Sequence, residues 1–98
     1  MTALAYQRVS QRFSIQKPVI IEDCKIGFFY NGMIFNYSSD GVYLESDYAP
    51  RPGRQIRLKV NGAADIFKAG SYLAVIRWRR PLCDASADYS FGIGMKYC

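Results

Sequence analysis

Two short motifs in a fixed order contain the side chains best suited to hold a small anionic ligand. Arg8 and Arg12 form an R-x-x-x-R pair in a polar N-terminal segment, and Asn36, Ser38 and Gly41 form an N-x-S-x-x-G string where an apolar alternating stretch ends. A planar guanidinium can bind two phosphate oxygens, or the O6 and N7 atoms of guanine, through paired hydrogen bonds. The amide, the hydroxyl and the glycine backbone add donors and acceptors at one strand end. Together these residue types suit an anionic ligand that contains guanine.

Each of these residues also has a simpler interpretation when it is considered alone. Arginines in a polar segment are usually solvated, two polar groups on an outer strand face are usually solvated as well, and a glycine after Asp40 is an ordinary turn residue. The joint pattern favours a ligand because an anion with guanine edges needs all these groups at once.

The composition describes one small folded domain with an anionic partner. The chain has 98 residues, half of them hydrophobic and 15% aromatic, with a net charge of +5. This length suffices for one modest core but not for a cleft between two domains. The charge favours a nucleotide, a nucleic acid or an acidic lipid as partner.

The residues that are missing exclude several chemical functions. The chain has no histidine, and its three cysteines (Cys24, Cys83 and Cys98) are far apart, which excludes Cys/His zinc sites and predicts free thiols in a reducing cytoplasm. The commonest general base is therefore absent, and no phosphate-binding or nucleophile motif occurs. No apolar run approaches the ~20 residues of a membrane span. We expect a cytoplasmic binding protein that is not an enzyme and has no metal or cofactor.

Alternating apolar and polar residues predict an all-β fold. Residues 1–13 read as a flexible arm, and residues 14–98 as one barrel domain or closed sandwich. At most one helical turn is expected, over residues 63–69. The predicted strands cover residues 18–26, 28–38, 42–45, 55–60, 72–78 and 89–97.

The alternation also assigns side chains to faces of the strands. In the second strand, Met33, Phe35 and Tyr37 are expected to face the core, and Asn36 and Ser38 the outside. In the last strand, Ile93 and Met95 are expected to face inward and the glycines outward. Trp78 shares a face with Ala74 and Ile76, so that core burial is favoured over a role in a basic, aromatic surface.

One local conflict remains in the first half of the chain. Asn31-Gly32 is a strong signal for a tight hairpin turn, which would divide the second strand. Residues 25–27 offer a competing turn that leaves a normal strand length on each side.

With its motifs placed, the chain resembles the PilZ-domain family of bacterial cyclic di-GMP receptors. The resemblance rests on the two motifs above and on the later strings Val75-Ile-Arg-Trp-Arg79 and Tyr89-Ser-Phe-Gly-Ile-Gly94-Met. It implies a six-stranded antiparallel Greek-key barrel that binds cyclic di-GMP on its outer surface, with the arm folded over the ligand. It also implies that Gly32 lies inside the second strand. The ligand residues would be Arg8, Arg12, Asn36, Ser38 and Gly41, with Gln7, Trp78 and Gly94 as weaker candidates.

Two departures from the family pattern affect these expectations. The family usually has a C-terminal helix after the last strand, whereas this sequence stops at Cys98. The aromatic face of the last strand (Tyr89, Phe91 and Tyr97) is then expected to leave apolar surface exposed and to cause weak self-association. Gln7 stands where the family often has a basic residue, which favours one ligand per chain.

The resemblance implies a second-messenger receptor whose arm changes conformation, and with it the contact to a downstream protein or a neighbouring domain. One alternative is a small basic barrel that binds single-stranded nucleic acid. A further alternative is a PilZ-like interaction domain that binds no nucleotide. The nucleic-acid surface would consist of basic and aromatic side chains, namely Tyr43, Arg54, Arg57, Lys59, Arg77 and Arg79.

Overall fold

Residues 11–60 and 70–98 are described by the computed structural model, and they form a closed antiparallel barrel. Gln7, Arg8 and the predicted helical turn at 63–69 lie outside these residues. No helix occurs in the described ranges, and the predicted all-β barrel is confirmed. Its six strands are β1 (Phe13–Asp23), β2 (Phe29–Tyr37), β3 (Gly41–Ser46), β4 (Gln55–Val60), β5 (Gly70–Pro81) and β6 (Phe91–Tyr97).

The strand order around the barrel is β1-β2-β3-β6-β5-β4. The strands β1, β2 and β3 pair consecutively, and β4 returns to pair with β1 on its free side. This spatial order of 4-1-2-3 defines a Greek key. Residues 47–54 connect β3 to β4, which are not neighbours in the sheet. As a result, β6 lies between β3 and β5, and the outer face of these three strands is continuous.

The core is formed mainly by branched aliphatic side chains that alternate with more exposed residues along the strands. The predicted inward faces of β3, β4 and β6 are confirmed. Burying such a side chain completely stabilises the fold by about 1.5–3 kcal/mol relative to exposure. The apolar residues with the least exposure are Ile21, Ile34, Val42, Leu44, Ile56, Leu58, Ala74, Ile76 and Ile93.

The turn between β1 and β2 lies at residues 24–27, and the alternative hairpin at Asn31-Gly32 does not form. Gly27 adopts a φ of 77°, a left-handed conformation that favours glycine. Gly32 lies inside β2 opposite Ser46, where an added Cβ would lie only 2.9 Å from the carbonyl oxygen of Glu45. The implied position of Gly32 within the strand is therefore correct.

The predicted face assignment of β2 is wrong at Ile34, which is completely buried, whereas Met33 and Phe35 are only half-buried. The register against β3 shifts between Ile34 and Asn36, so Phe35 is an extra residue in this strand. Such a bulge reverses the in–out alternation beyond it. Tyr37 therefore faces inward, as predicted, although Ile34 does too.

Disulfides, metal-ligating clusters and membrane-spanning helices are absent from the described residues. Cys24, Cys83 and Cys98 are exposed and unpaired. Residues 11–60 and 70–98 contain no cluster of three metal-ligating side chains. The same ranges contain no helix with the length and apolar character needed to cross a bilayer.

Candidate ligand-binding groove

A groove of about 740 Å³ crosses the outer face of the barrel where the end of β1 approaches β2, β3, β6 and β5. This volume lies in the usual range of small-molecule sites, roughly 300–1,000 Å³. We call it the outer groove. Its lining includes Arg12, Asn36, Gly41, Tyr43, Trp78 and Gly94, with Arg77, Arg80 and Lys96 as further cations.

The aromatic wall of the outer groove is built across three strands. Tyr43 of β3 is opposite Gly94 of β6, which in turn is opposite Trp78 of β5. Because Gly94 has no side chain, the indole lies directly over its backbone, and an added Cβ would be 2.3 Å from Trp78 Cε2. The rings of Tyr43 and Trp78 stack with their centroids 5.8 Å apart. Gly94 is thus a point of close approach, the usual role of glycine within a strand.

The prediction that Trp78 belongs to the core is wrong, since 42% of this side chain is exposed. Ile76 pairs with Met95, and Trp78 pairs with Gly94 on the same strand β6. Arg77 is therefore an extra residue, and the bulge turns Trp78 to the outer face. The guanidinium of Arg80 lies 5.5 Å from the centre of the indole ring, at the distance of a cation–π contact.

Arg12 and Asn36 meet at one end of the outer groove. The guanidinium of Arg12 donates a hydrogen bond of 2.7 Å from Nη1 to Oδ1 of Asn36. Asn36 pairs with Ser14 of β1 and with Tyr43 of β3, and this double pairing fixes its backbone. The two motifs recognised in the sequence are therefore joined directly, through one residue of each.

Ser38 does not face outward with Asn36, because β2 ends at Tyr37 and a turn begins there. Only 5% of Ser38 is exposed. Its Oγ accepts hydrogen bonds from the backbone N–H groups of Asp40, at 3.1 Å, and Gly41, at 3.3 Å. The hydroxyl therefore fixes the turn between β2 and β3. The expectation that it lies on the open outer face is incorrect.

Gly41 is needed for close packing of two strands. A Cβ at this position would lie 2.0 Å from the backbone carbonyl oxygen of Met95. No side chain could move aside to relieve this contact, because the obstructing atom belongs to the backbone of β6. The glycine of the motif thus lets β3 and β6 approach each other beside the outer groove.

The charge around the outer groove is predominantly positive. Four cationic side chains and one carboxylate, that of Asp40, line it. Tyr43 lies between these groups and donates a hydrogen bond of 2.8 Å from its hydroxyl to Oε2 of Glu45. Burial, together with this bond, raises the pKa of Tyr43 above its usual value. With four cations against one carboxylate, the groove favours an anion.

The structure brings five of the predicted ligand residues together: Arg12, Asn36, Gly41, Trp78 and Gly94. Ser38 lies next to them but points into the turn, and Arg8 and Gln7 fall outside the described residues. The predicted ligand set omitted a further group of residues that line the groove, namely Asp40, Tyr43, Arg77, Arg80 and Lys96. Of these, Tyr43 and Lys96 could have been found from their alternation with buried neighbours.

The last strand does not present the exposed aromatic face that was predicted for it. Phe91 and Tyr97 are half-buried against the core, and Tyr89 is half-buried as well. The ring of Tyr97 lies 6.0 Å from that of Tyr72. The largest exposed apolar side chains instead include Ile26, Phe28 and Phe29, around the turn between β1 and β2.

No family model and no curated protein matches the sequence. Among solved structures, the chain is similar to the inhibitor of motility MotI/DgrA of Bacillus subtilis, with a TM-score of 0.69 and 17% sequence identity. The similarity covers 94% of this chain and 42% of that one, so the present chain spans less than half of that protein. At this identity the comparison shows a shared fold only, and function has to be inferred from the residues of the groove.

Proposed function

We propose that this chain is a PilZ-like receptor domain that binds cyclic di-GMP in the outer groove. The main support is the direct contact between Arg12 and Asn36 at the end of a groove with four cations and one carboxylate. The same two residues belong to the two motifs by which the sequence resembles PilZ receptors.

The residues of the outer groove have complementary tasks in this proposal. Arg12 provides paired donors for a phosphate or for the O6/N7 edge of guanine. When the ligand arrives, Arg12 exchanges its hydrogen bond with Asn36 for bonds to the ligand, and Asn36 is then free to bind the guanine. Trp78 supplies a flat, partly exposed ring on which a base can stack. Ser38 and Gly41 act indirectly, by fixing the turn and the strand spacing beside the ligand.

The proposed output is a change in the arm. Arg8 would supply the second guanidinium, and its engagement by the ligand would draw the arm over the outer groove and alter contact with a protein partner or a neighbouring domain. We expect amide hydrogen exchange of residues 6–13 to slow when cyclic di-GMP is added. Equal exchange rates with and without ligand would remove this mechanism, even if the ligand bound.

The test is isothermal titration of the full chain with cyclic di-GMP, and separately with a single-stranded oligonucleotide. A charge-assisted hydrogen bond contributes about 1.5–3 kcal/mol, so Arg12→Ala should weaken cyclic di-GMP binding at least tenfold. Arg12→Lys should restore little, because an ammonium lacks the planar fork. Arg51→Ala is the matched control, since Arg51 is exposed and outside the outer groove.

The single tryptophan of the chain gives an independent signal from the same site. Trp78 fluorescence should change in proportion to ligand occupancy in the wild type and in Arg51→Ala. An unchanged affinity of Arg12→Ala for cyclic di-GMP would refute the proposed site. Tighter binding of the oligonucleotide than of cyclic di-GMP would favour the nucleic-acid alternative.

The described cations give that alternative less support. Arg54 is bound to Asp23, while Arg57 and Lys59 lie 3.5 and 3.8 Å from Glu22. Arg79 donates to the backbone carbonyl oxygen of Ala49. These contacts within the barrel compete with phosphate binding, whereas the cations of the outer groove surround one cavity.

A further inference from the structure

A second unusual surface lies at the other end of the β1–β2 hairpin. Three large apolar side chains are exposed there: Ile26 by 48%, Phe28 by 60% and Phe29 by 56%. We call these three residues the apolar tip. A fully buried aromatic side chain removes about 150–250 Å² from water, so the tip exposes roughly 300 Å² of apolar surface. Patches of this size on a small domain are often functional.

The apolar tip is held in place by a buried carboxylate. Asp23 is completely buried, and its Oδ1 accepts a hydrogen bond of 3.0 Å from the backbone N–H of Lys25. Its Oδ2 accepts from Arg54 at 2.5 Å and from the Tyr48 hydroxyl at 3.1 Å. The backbone N–H of Gly27 donates to the Asp23 carbonyl oxygen at 2.7 Å. The exposed side chains therefore project from a well-anchored turn.

Cationic side chains surround the apolar tip. Lys25, Arg51 and Arg54 line a shallow groove of about 640 Å³ beside it. The ammonium of Lys59 lies 4.8 Å from the ring centre of Phe29. Within residues 11–60 and 70–98, no carboxylate lies within ion-pair distance of Lys25 or Arg51. Lys25 and Arg51 are thus left without a paired carboxylate beside the tip, whereas Arg54 is paired with Asp23 and Lys59 lies 3.8 Å from Glu22.

We propose that this end of the barrel binds the surface of a bilayer that contains anionic lipids. Ile26, Phe28 and Phe29 enter the boundary between headgroups and acyl chains, and Lys25 and Arg51 contact the lipid phosphates. Apolar side chains bordered by cations are the combination that interfacial membrane binding requires. A protein partner would need about 800 Å² on each side, more than twice the area of the tip. A bilayer has no such minimum, because it accepts a few inserted side chains.

The membrane contact leaves the outer groove accessible. In the β1–β2 ladder, Phe29 pairs with Glu22 near the turn, and Asn36 pairs with Ser14 near the other end. The seven steps along the chain from Phe29 to Asn36 span about 23 Å at the rise of an extended strand. The two sites can therefore be occupied together, and the proposal does not depend on the identity of the ligand.

The test is sedimentation of the full chain with phosphatidylcholine vesicles, and with vesicles in which about a third of the lipid is phosphatidylglycerol. We expect binding to the anionic vesicles that is at least tenfold tighter and is weakened by salt. The double variant Phe28→Ser/Phe29→Ser should lose at least tenfold in affinity. Lys25→Glu should lose about fivefold or more on anionic vesicles only. Phe13→Ser is the matched control, because Phe13 is an exposed phenylalanine at the far end of β1.

A second readout detects insertion directly. In the variant Trp78→Phe/Phe28→Trp, the only indole is at the apolar tip, and its emission should shift to the blue when anionic vesicles are added. Thermal unfolding of each variant confirms that it is folded. Failure of the wild type to bind anionic vesicles, or equal binding by the folded double variant, would overturn the proposal. Concentration-dependent association that the double variant abolishes, without vesicle binding, would instead assign the tip to a contact between two copies of the chain.

Discussion

Replacing Gly94 with alanine should displace the tryptophan that forms the wall of the outer groove. The added Cβ would be 2.3 Å from Trp78 Cε2, well inside any observed carbon–carbon contact. The obstructing atom belongs to a side chain that is 42% exposed, so the indole can swing away while the strands stay paired. We therefore expect a folded protein with a rearranged groove.

The size of the effect follows from the contacts that the indole would lose. Its stacking on Tyr43 is worth about 0.5–1.5 kcal/mol beyond burial, and its contact with Arg80 about 0.5–1 kcal/mol. Replacing glycine with alanine in a strand offsets about 0.5–1 kcal/mol of this loss, because the unfolded chain has less conformational freedom with alanine than with glycine. The net loss is about 1 kcal/mol, which lowers the melting temperature by about 4–8 °C in a domain of this size.

Trp78 reports its own displacement, since it is the only tryptophan. Emission of Gly94→Ala should shift to the red in the folded state, and affinity for an anionic ligand in the outer groove should fall. The decisive control is Gly94→Ala in a Trp78→Ala background, where the clash is absent and the alanine should be neutral or stabilising. A double-mutant cycle then isolates the clash. Equal destabilisation by Gly94→Ala with and without the indole would refute the reasoning.

Three further outcomes are expected from the same geometry. Gly41→Ala should destabilise the barrel by about 3 kcal/mol or more in urea unfolding, well beyond Gly94→Ala, because its Cβ would meet a backbone oxygen at 2.0 Å. Ser38→Ala should cost about 1–3 kcal/mol, since two backbone N–H groups lose their acceptor, and a melting temperature equal to that of the wild type would contradict this role. Burial, more than any other cause, raises the pKa of Tyr97 to about 12. The unfolded chain, with tyrosine pKa near 10, then loses this proton first. Stability should fall as pH rises from about 10 to 12, and Tyr97→Phe should flatten that decline in urea midpoints.

The strands whose pairing is regular could be predicted from the sequence. Alternation along β4 placed Ile56, Leu58 and Val60 in the core, and all three are buried. The same rule worked for Ile93 and Met95 in β6. It worked because one face of each of these strands is apolar and no extra residue interrupts the ladder.

The alternation rule failed where a strand contains one extra residue. Phe35 and Arg77 are such residues, and each reverses the faces that follow it. A bulge depends on how a strand pairs with partners that are distant in the sequence, and nothing in the local pattern reveals it. Trp78 follows its bulge and therefore turns to the face opposite to the one that alternation predicts. Ile34 precedes its bulge, and its face is mispredicted because a single alternation cannot hold on both sides of Phe35.

Both bulges border the outer groove, and this coincidence has a physical basis. In a regular barrel strand, every second side chain points outward. The outward side chains of neighbouring strands project in the same direction, and the resulting surface is smooth. The bulge at Arg77 turns a large ring outward above Gly94, while the bulge at Phe35 comes directly before Asn36, the partner of Arg12. Breaks in the ladder thus make the outer surface uneven enough to form a groove for a ligand, and they cost few hydrogen bonds. Sites in β proteins commonly lie where local rules are broken, and Trp78, which the sequence pattern assigned to the core, is one of the residues that shape the groove.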